Sequence, residues 1–226
     1  MKMKLIPFVV ISILSSAQSF GAAQIQVKGS DTEVNLVQML AEKFMKKESG
    51  VSLSVTGGGS GTGIAALFNK TADLANSSRA MKPDELENAK KAGLKVQRII
   101  FATDALSIVV NETNPLKEIT VEDAGAIFAG KIKNWKELGG SDSAISLYGR
   151  QSNSGTFTFF RDQVVKADYS PDLKAMNGNS QIVEGVAQDK AAIGYVGIGY
   201  AIDTKTKKPA KGLKLLKVAE KKKKKA

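Results

Sequence analysis

The chain has 226 residues, of which 42% are hydrophobic and 24% are charged, so it has enough material for one large domain or two small ones with a buried core. It contains no histidine and no cysteine. This composition excludes disulfides, haem and iron–sulfur ligation, the usual zinc sites, and catalytic systems that depend on a histidine or a cysteine. An enzyme with this composition would have to rely on carboxylates, hydroxyl groups and lysines.

Most of the net charge of +11 lies at the two ends of the chain. Residues 1–23 carry +2 and residues 205–226, with eleven lysines and one glutamate, carry +10, which leaves −1 for residues 24–204. Proteins that read nucleic acids carry their basic residues on the folded surface. The nearly neutral body therefore predicts that nucleic acid is not a partner, and the lysine run 221–225 is typical of a solvated tail.

Residues 1–23 have the pattern of an export signal. Two lysines come first, an apolar stretch covers residues 5–14, and small residues continue through Ala23. The apolar stretch is too short to span a membrane. Cleavage is expected after Gly21 or Ala23, and Ala23 is favoured. No cysteine is available there for a lipid anchor, so the pattern predicts a soluble protein in the periplasm.

Short apolar strands alternate with helical patterns along the rest of the chain, which predicts an α/β fold. A first unit is predicted to contain, in order, strand 25–28, helix 36–44, strand 51–55, helix 64–68, strand 73–76, a helix starting at Pro83, and strand 96–101. A second unit is predicted to contain strand 105–110, a helix capped by Thr120, strand 145–148, helix 157–164, helix 182–188, and strands 191–196 and 213–218.

Four predicted strand-to-helix turns combine hydroxyl side chains with small residues. They are 29–32 (Gly-Ser-Asp-Thr), 59–62 (Gly-Ser-Gly-Thr), 77–79 (Ser-Ser-Arg) and 154–156 (Ser-Gly-Thr). Free backbone N–H groups at helix starts, together with hydroxyl donors, favour anions. Arg79 lies in one turn and Arg150 just before another, and a guanidinium group matches a tetrahedral oxyanion.

Each turn taken alone also fits a simpler structural role. Ser30 and Glu33 have the spacing of a capping box, and Ser154 fits an ordinary N-cap. Arg79 has an ion-pair candidate in Asp84, and Arg150 is compatible with a surface charge. The glycine-rich loop 57–63 matches neither the P-loop nor the dinucleotide-binding pattern. The coincidence of four such turns with two arginines favours a binding site for a small anion.

These motifs together resemble the periplasmic phosphate-binding proteins of Pst-type phosphate ABC transporters. The resemblance runs from about residue 25 to 202 and rests on the segments 29–32, 56–63, 73–79, 127–135, 150–156 and 192–197. It implies a two-lobed type II periplasmic binding protein, in which each lobe is a mixed sheet flanked by helices and the ligand lies in the cleft. The lobes are expected at 24–104 and 105–195, with 196–226 returning to the first lobe and ending in the lysine-rich tail.

The resemblance also implies a set of phosphate-binding residues, with no catalytic residue, metal or cofactor. The set is Ser30, Asp31, Thr32, Ser60, Ser78, Arg79, Arg150, Ser154, Gly155 and Thr156. The implied partners are inorganic phosphate and the membrane permease and ATPase subunits of the transporter, and the receptor is expected to be a monomer. Family members normally continue with a returning segment and a closing helix, so a missing C-terminal segment is the favoured reading of the lysine-rich end.

One position departs from the family pattern. Many members have an aspartate where this chain has Ser78, and that aspartate accepts the proton that distinguishes phosphate from sulfate. We hypothesise that Asp31 is the acceptor here, because a protonated phosphate that faces only donors is treated like sulfate. Asp104 is expected near the crossover between the lobes, in a structural role.

Three other functions stay open on the sequence. A receptor for another oxyanion, such as sulfate or molybdate, is compatible with Ser78. A secreted phosphatase or phosphotransferase would need a metal cluster or an activated nucleophile. A surface-interaction protein would act through its lysine-rich tail, and its activity would be lost on deletion of 205–226.

Overall fold

The structure is a computed structural model that describes residues 23–203 and 205–219. The predicted export signal, apart from Ala23, and the lysine run 221–225 lie outside the described residues. Two α/β units follow each other along the chain, each with its own sheet.

The first unit is built on three parallel strands. Its elements, in chain order, are β1 (Ala23–Gly29), α1 (Val34–Lys47), β2 (Val51–Thr56), α2 (Ser60–Phe68), β3 (Leu74–Asn76) and α3 (Pro83–Lys91). The strand order is β2-β1-β3, and both pairings are parallel. Because parallel strands end at the same edge, the loops after all three strands meet on one side of the sheet.

The second unit contains a five-stranded mixed sheet and a small two-stranded sheet. Its elements are β4 (Leu106–Asn111), β5 (Glu118–Thr120), α4 (Val121–Phe128), β6 (Ser146–Arg150), α5 (Gly155–Phe160), β7 (Lys174–Met176), α6 (Asn179–Gln188), β8 (Ala192–Gly197), α7 (Ile198–Ala201), β9 (Leu213–Leu215) and β10 (Lys217–Ala219). The larger sheet has the order β7-β6-β8-β4-β9, and β5 pairs with β10. Strand β6 runs parallel to both neighbours, whereas β4 runs antiparallel to β8 and β9.

The core of the second unit holds the end of β6 in place. The ring of Tyr195 stacks on Phe160 with a centroid distance of 4.1 Å, and Phe128 meets both rings edge-on. Tyr195 is fully buried, and its hydroxyl group accepts the backbone N–H of Arg150 at 3.1 Å. Aromatic packing in the core is thereby connected to the residue at which β6 ends.

Most predicted elements are present with shifted ends, but one predicted strand is wrong. Residues 96–101 form no strand, and the side chains of Ile99 and Ile100 are 71% and 73% exposed. Strands β2 and β3 are the two edges of the first sheet among the described residues, and residues 96–101 pair with neither of them. An apolar run becomes a strand only when another strand completes its hydrogen bonds.

The strand pairing corrects three further expectations. The described part of 196–226 was expected to return to the first lobe, but β9 pairs with β4 and β10 with β5, all in the second unit. The predicted single strand 213–218 is interrupted at Leu216, whose backbone N–H donates to Ile108 instead. The expected mixed sheet is present in the second unit, whereas the described strands of the first unit are all parallel.

Candidate functional site

Three hydroxyl groups of the first unit meet at the carboxyl edge of its sheet. Ser30 follows β1, Ser60 begins α2, and Ser78 follows β3. The Ser78 hydroxyl lies 3.2 Å from that of Ser30 and 3.3 Å from that of Ser60, and its backbone N–H donates to the Ser60 hydroxyl at 3.2 Å. Ser30 and Ser60 are buried. The structure therefore brings together three of the predicted site residues in a cluster of hydrogen-bond donors.

The second unit reaches the same cluster through the start of α5. A Cβ atom on Gly155 would lie 2.5 Å from the Ser60 hydroxyl and 2.6 Å from the Ser78 hydroxyl, so only glycine allows this approach. The next residue, Thr156, is buried, and its hydroxyl lies 2.6 Å from that of Thr32. Predicted site residues from the two units thus touch each other.

Arg150 ends β6 and places a fully buried guanidinium group near Asp31, the residue that follows Ser30. Its Nε donates to Gln151 at 3.1 Å and its Nη2 donates to the carbonyl of Asn177 at 3.2 Å. Its Nη1 has no hydrogen-bond partner among the described residues, and the nearest acidic oxygen is Asp31 Oδ2 at 3.6 Å. Burial lowers the pKa of Arg150, and the negative charge of Asp31 partly opposes that shift.

Asp31 is held from the second unit by a residue that the sequence did not identify. The backbone N–H and the side-chain Nδ2 of Asn179 both donate to Asp31 Oδ2 at 2.8 Å. The Tyr200 hydroxyl donates to the Asp31 carbonyl at 2.7 Å. No local motif marks Asn179, because its partner is 148 residues away in the sequence. The only signal was its place before the predicted helix 182–188, where donors to an acidic group are common.

Two predicted site residues have different surroundings from those expected. Both terminal nitrogens of Arg79 donate to Glu85 at 2.7 Å, and one also donates to the carbonyl of Ala80 at 2.9 Å. The pKa of Glu85 is lowered, chiefly by its hydrogen bond from Arg79. The structure therefore does not bring the Arg79 guanidinium into the hydroxyl cluster, and the partner is Glu85 rather than Asp84. Ser154 is buried and its hydroxyl caps α5 by accepting the N–H of Phe157, as in the alternative interpretation.

Direct contacts across the cleft bring the two units together. The backbone N–H of Gly61 donates to the carbonyl of Asn153 at 2.9 Å, and the Asn153 side chain donates to Thr62 at 3.0 Å. Gln151 donates to the carbonyl of Gly58 at 3.3 Å. The glycine-rich loop of the first unit therefore faces the loop that follows Arg150, and the site is closed.

Glu33, next to the first loop, does not form the predicted capping box. Its side chain makes no capping hydrogen bond, and its buried Oε2 has no hydrogen-bond partner among the described residues. Burial, with a smaller contribution from the negative charge of Asp104, raises the pKa of Glu33 to about 7. Asp104 lies beside the end of β8, with its carboxylate 3.5 Å from the position of a Cβ on Gly197.

Two features are absent from the part of the chain that the structure describes. Residues 23–203 and 205–219 contain no helix with the length and apolar character needed to cross a membrane. The same residues contain no group of three or more acidic side chains positioned to hold a metal ion.

Comparison with protein families and with curated proteins shows which proteins this chain is similar to. A family model described as a PBP superfamily domain matches residues 14–226. The phosphate-binding protein PstS of Pseudomonas aeruginosa is 36% identical over 186 residues, which cover 76% of this chain and 58% of that protein. Protein SphX of Synechococcus elongatus is 31% identical, with 82% of this chain and 57% of that protein covered. The chain thus spans less than two thirds of the length of these relatives.

Solved structures show the same relationship. A phosphate ABC transporter substrate-binding protein from Clostridium perfringens, crystallised with bound phosphate, superposes with a TM-score of 0.76 at 28% identity, covering 87% of this chain and 76% of the other. An ABC-type phosphate transport receptor from Vibrio cholerae gives a TM-score of 0.62 at 29% identity, covering 86% and 76%. These similarities confirm the resemblance that the sequence motifs indicated, and they confirm the expected fold class.

The unpaired Glu33 carboxyl group predicts a specific pH dependence of stability. A carboxyl group whose pKa is higher in the folded than in the unfolded protein stabilises the fold below the unfolded value and loses that contribution as pH rises through the folded value. Wild type should therefore lose stability between about pH 4.5 and 7 through Glu33, and Glu33→Gln should remove this part of the loss. Urea unfolding at pH 5 and pH 8 measures it. Glu42→Gln, at an exposed position of α1, is the control, and an unchanged pH dependence in Glu33→Gln would contradict the assignment.

Proposed function

We propose that this chain, which belongs to the PBP superfamily, binds inorganic phosphate between its two lobes and delivers it to the permease and ATPase subunits of an ABC transporter. The observation that carries the proposal is the Arg150 side chain, which is fully buried and has one guanidinium nitrogen without a hydrogen-bond partner among the described residues. A buried cation with an unused donor beside a cluster of hydroxyl groups is suited to a small anion.

The donors around Arg150 match the needs of a tetrahedral oxyanion. The hydroxyl groups of Ser30, Ser60 and Ser78 come from the first lobe, and that of Thr156 comes from the second. Ser60 begins the nine-residue helix α2, where the backbone N–H of Gly61 already donates to Asn153 and those of Thr62 and Gly63 donate to Gly59, so the Ser60 hydroxyl is the donor that this helix start offers. An anion at this place receives hydrogen bonds from both lobes.

Closure of the lobes is part of the proposed binding mechanism. In the closed structure Thr32 and Thr156 hydrogen-bond to each other across the cleft, and the serine hydroxyl groups bond among themselves. An anion enters when the lobes part, and its oxygens then replace these hydroxyl–hydroxyl contacts. Charge-assisted bonds are stronger than the neutral ones they replace, so the bound anion favours the closed state.

Discrimination between phosphate and sulfate requires an acceptor, and we assign that role to Asp31. Phosphate near neutral pH carries a proton that sulfate lacks, and an ionised carboxylate accepts a hydrogen bond from that P–O–H group. Asp31 Oδ2 receives both donors of Asn179, whereas Oδ1 receives no hydrogen bond from the described residues. Many family members have a carboxylate at the position of Ser78, which has only a hydroxyl group. Because the usual acceptor is missing there, a receptor for another oxyanion is the second candidate function.

The remaining parts of the proposal rest on similarity and on the sequence. The relatives are named as phosphate-binding and ABC transporter substrate-binding proteins, which supports a receptor without catalytic activity. Export to the periplasm rests on the pattern of residues 1–23. We further propose that the receptor acts as a monomer, and that the Arg79–Glu85 pair braces the third loop while Ser154 caps α5 beside the ligand.

Calorimetric titration with phosphate tests the function directly. Protein that has been unfolded and refolded to remove bound ligand should bind phosphate with a dissociation constant of roughly micromolar or better. Arg150→Met should abolish measurable binding because it removes the buried cation. The matched control is Arg161→Met, since Arg161 is partly exposed and pairs with its neighbour Asp162. Folded wild type that binds no phosphate would refute the proposal, as would full binding by Arg150→Met.

The role of Asp31 predicts a change in selectivity rather than a general loss of binding. Asp31→Asn keeps the size of the side chain. Because the donors of Asn179 hold its one remaining oxygen, the variant presents an NH2 donor in place of Oδ1, so phosphate and sulfate should bind with affinities within about tenfold of each other. Competition calorimetry with both anions measures the ratio. Asp73→Asn, a control at an aspartate that bonds to the backbone of Gln26, should keep the wild-type preference. Undiminished phosphate selectivity in Asp31→Asn would contradict the assignment.

A further inference from the structure

Asn179 joins the two lobes beside the candidate site, and its side chain is fully buried. Its backbone N–H and its Nδ2 donate to Asp31 Oδ2, each at 2.8 Å. Its Nδ2 also lies 3.4 Å from the Thr32 hydroxyl, and its Oδ1 accepts the backbone N–H of Gly197 at 3.2 Å. Every polar atom of this side chain therefore has a partner, on both sides of the cleft.

The contacts of Asn179 are of two kinds. The bond to Gly197 lies within the second lobe, whereas the contacts with Asp31 and Thr32 join the two lobes and therefore require closure. Gly197 ends β8, which belongs to the same lobe as α6, so this bond fixes the orientation of the amide within the second lobe. Asp31 and Thr32 belong to the loop after β1 in the first lobe. The Nδ2 donor is thus aimed in advance at the place that the Asp31 carboxylate reaches when the lobes close.

The two oxygens of Asp31 are used differently as a result. Oδ2 receives both Asn179 donors and lies 3.6 Å from Arg150 Nη1. Oδ1 lies 3.2 Å from the positions that Cβ atoms on Gly57 and Gly178 would take, so glycine at both positions leaves this oxygen uncrowded. A carboxylate fixed through one oxygen presents the other in a constant direction.

We propose that Asn179 is a positioning residue for phosphate recognition: on closure it holds Asp31 Oδ2 and leaves Oδ1 to accept the proton of the ligand. This inference rests on the proposed function, because it explains how the acceptor is oriented. It assigns to α6 a role in selectivity that the loop residues alone do not provide. A carboxylate free to rotate would offer either oxygen to Arg150 and would discriminate less well.

The isosteric change Asn179→Asp tests this orientation. It keeps an oxygen for the Gly197 N–H but places a carboxylate oxygen where Nδ2 lies, 2.8 Å from Asp31 Oδ2. Two carboxylates at this distance share a proton or repel each other. Relative to wild type at the same pH, phosphate affinity should fall by about tenfold or more at pH 8 and recover to within about threefold at pH 5.

The other charged and titratable groups around this contact are the same in wild type and variant. They are Arg150 at the end of β6, Tyr200 on α7, and Asp104 beside Gly197, whose negative charge also acts on Glu33. The ratio of the phosphate affinities of Asn179→Asp and wild type at each pH therefore reports on the new pair of carboxylates at positions 31 and 179. Asn88→Asp, the same chemical change at an exposed position of α3, is the control and should follow wild type at every pH.

Asn179→Ala covers the case in which Asn179→Asp does not fold. It removes the Nδ2 donor to Asp31 and adds no charge, while the backbone N–H of residue 179 still donates to Asp31 Oδ2, so the variant should fold and bind phosphate but should lose part of its preference for phosphate over sulfate. A constant affinity ratio between Asn179→Asp and wild type across pH, or full phosphate selectivity in Asn179→Ala, would overturn the inference. Wild type that binds no phosphate would instead refute the proposed function.

Discussion

A cation buried at the meeting point of two lobes is the constraint on which the rest of this structure depends. Arg150 is fully buried, and its nearest carboxylate, Asp31, belongs to the other lobe at 3.6 Å. Removing a charge from water costs several kcal/mol unless partners replace the water. The surrounding elements supply such partners. The Tyr195 hydroxyl accepts the backbone N–H of Arg150 and so holds the end of β6, and the carbonyl of Asn177 accepts a hydrogen bond from Arg150 Nη2.

Under the proposed function, this arrangement would couple the binding of an anion to closure of the lobes. Asp31 belongs to the first lobe, whereas Arg150 and Asn179 belong to the second. The Asp31 carboxylate therefore lies near Arg150 and accepts the hydrogen bond from Asn179 only when the two lobes are in contact. An anion that completes the partners of Arg150 stabilises that state by its difference in affinity for the closed and open forms. The close approach of Gly155 to two serine hydroxyl groups places donors from both lobes around the same point.

The sequence predicted local features well and long-range pairing poorly. Glycine and hydroxyl residues after a strand mark a turn wherever it occurs, so Ser30, Ser60 and Ser78 could be identified before their contacts were known. Residues 96–101 have the composition of a strand, but they can form one only beside a second strand that accepts and donates their backbone hydrogen bonds. Composition does not show whether such a strand is present. The contact of Asn179 with Asp31 spans 148 residues, and no local motif identifies the two residues as partners. For Arg79 the choice between two adjacent acidic residues depended on helix geometry, which placed Glu85 within reach.

A crystal structure of the protein with phosphate tests the central claim most directly. The account predicts a tetrahedral anion between the loops that follow β1 and β6, hydrogen-bonded to Arg150 Nη1 and to hydroxyl groups from both lobes, with one oxygen within hydrogen-bond distance of Asp31 Oδ1. Asn179 should still donate to Asp31 Oδ2 in that structure. Phosphate bound away from Arg150, or bound to one lobe while the cleft stays open, would contradict the account.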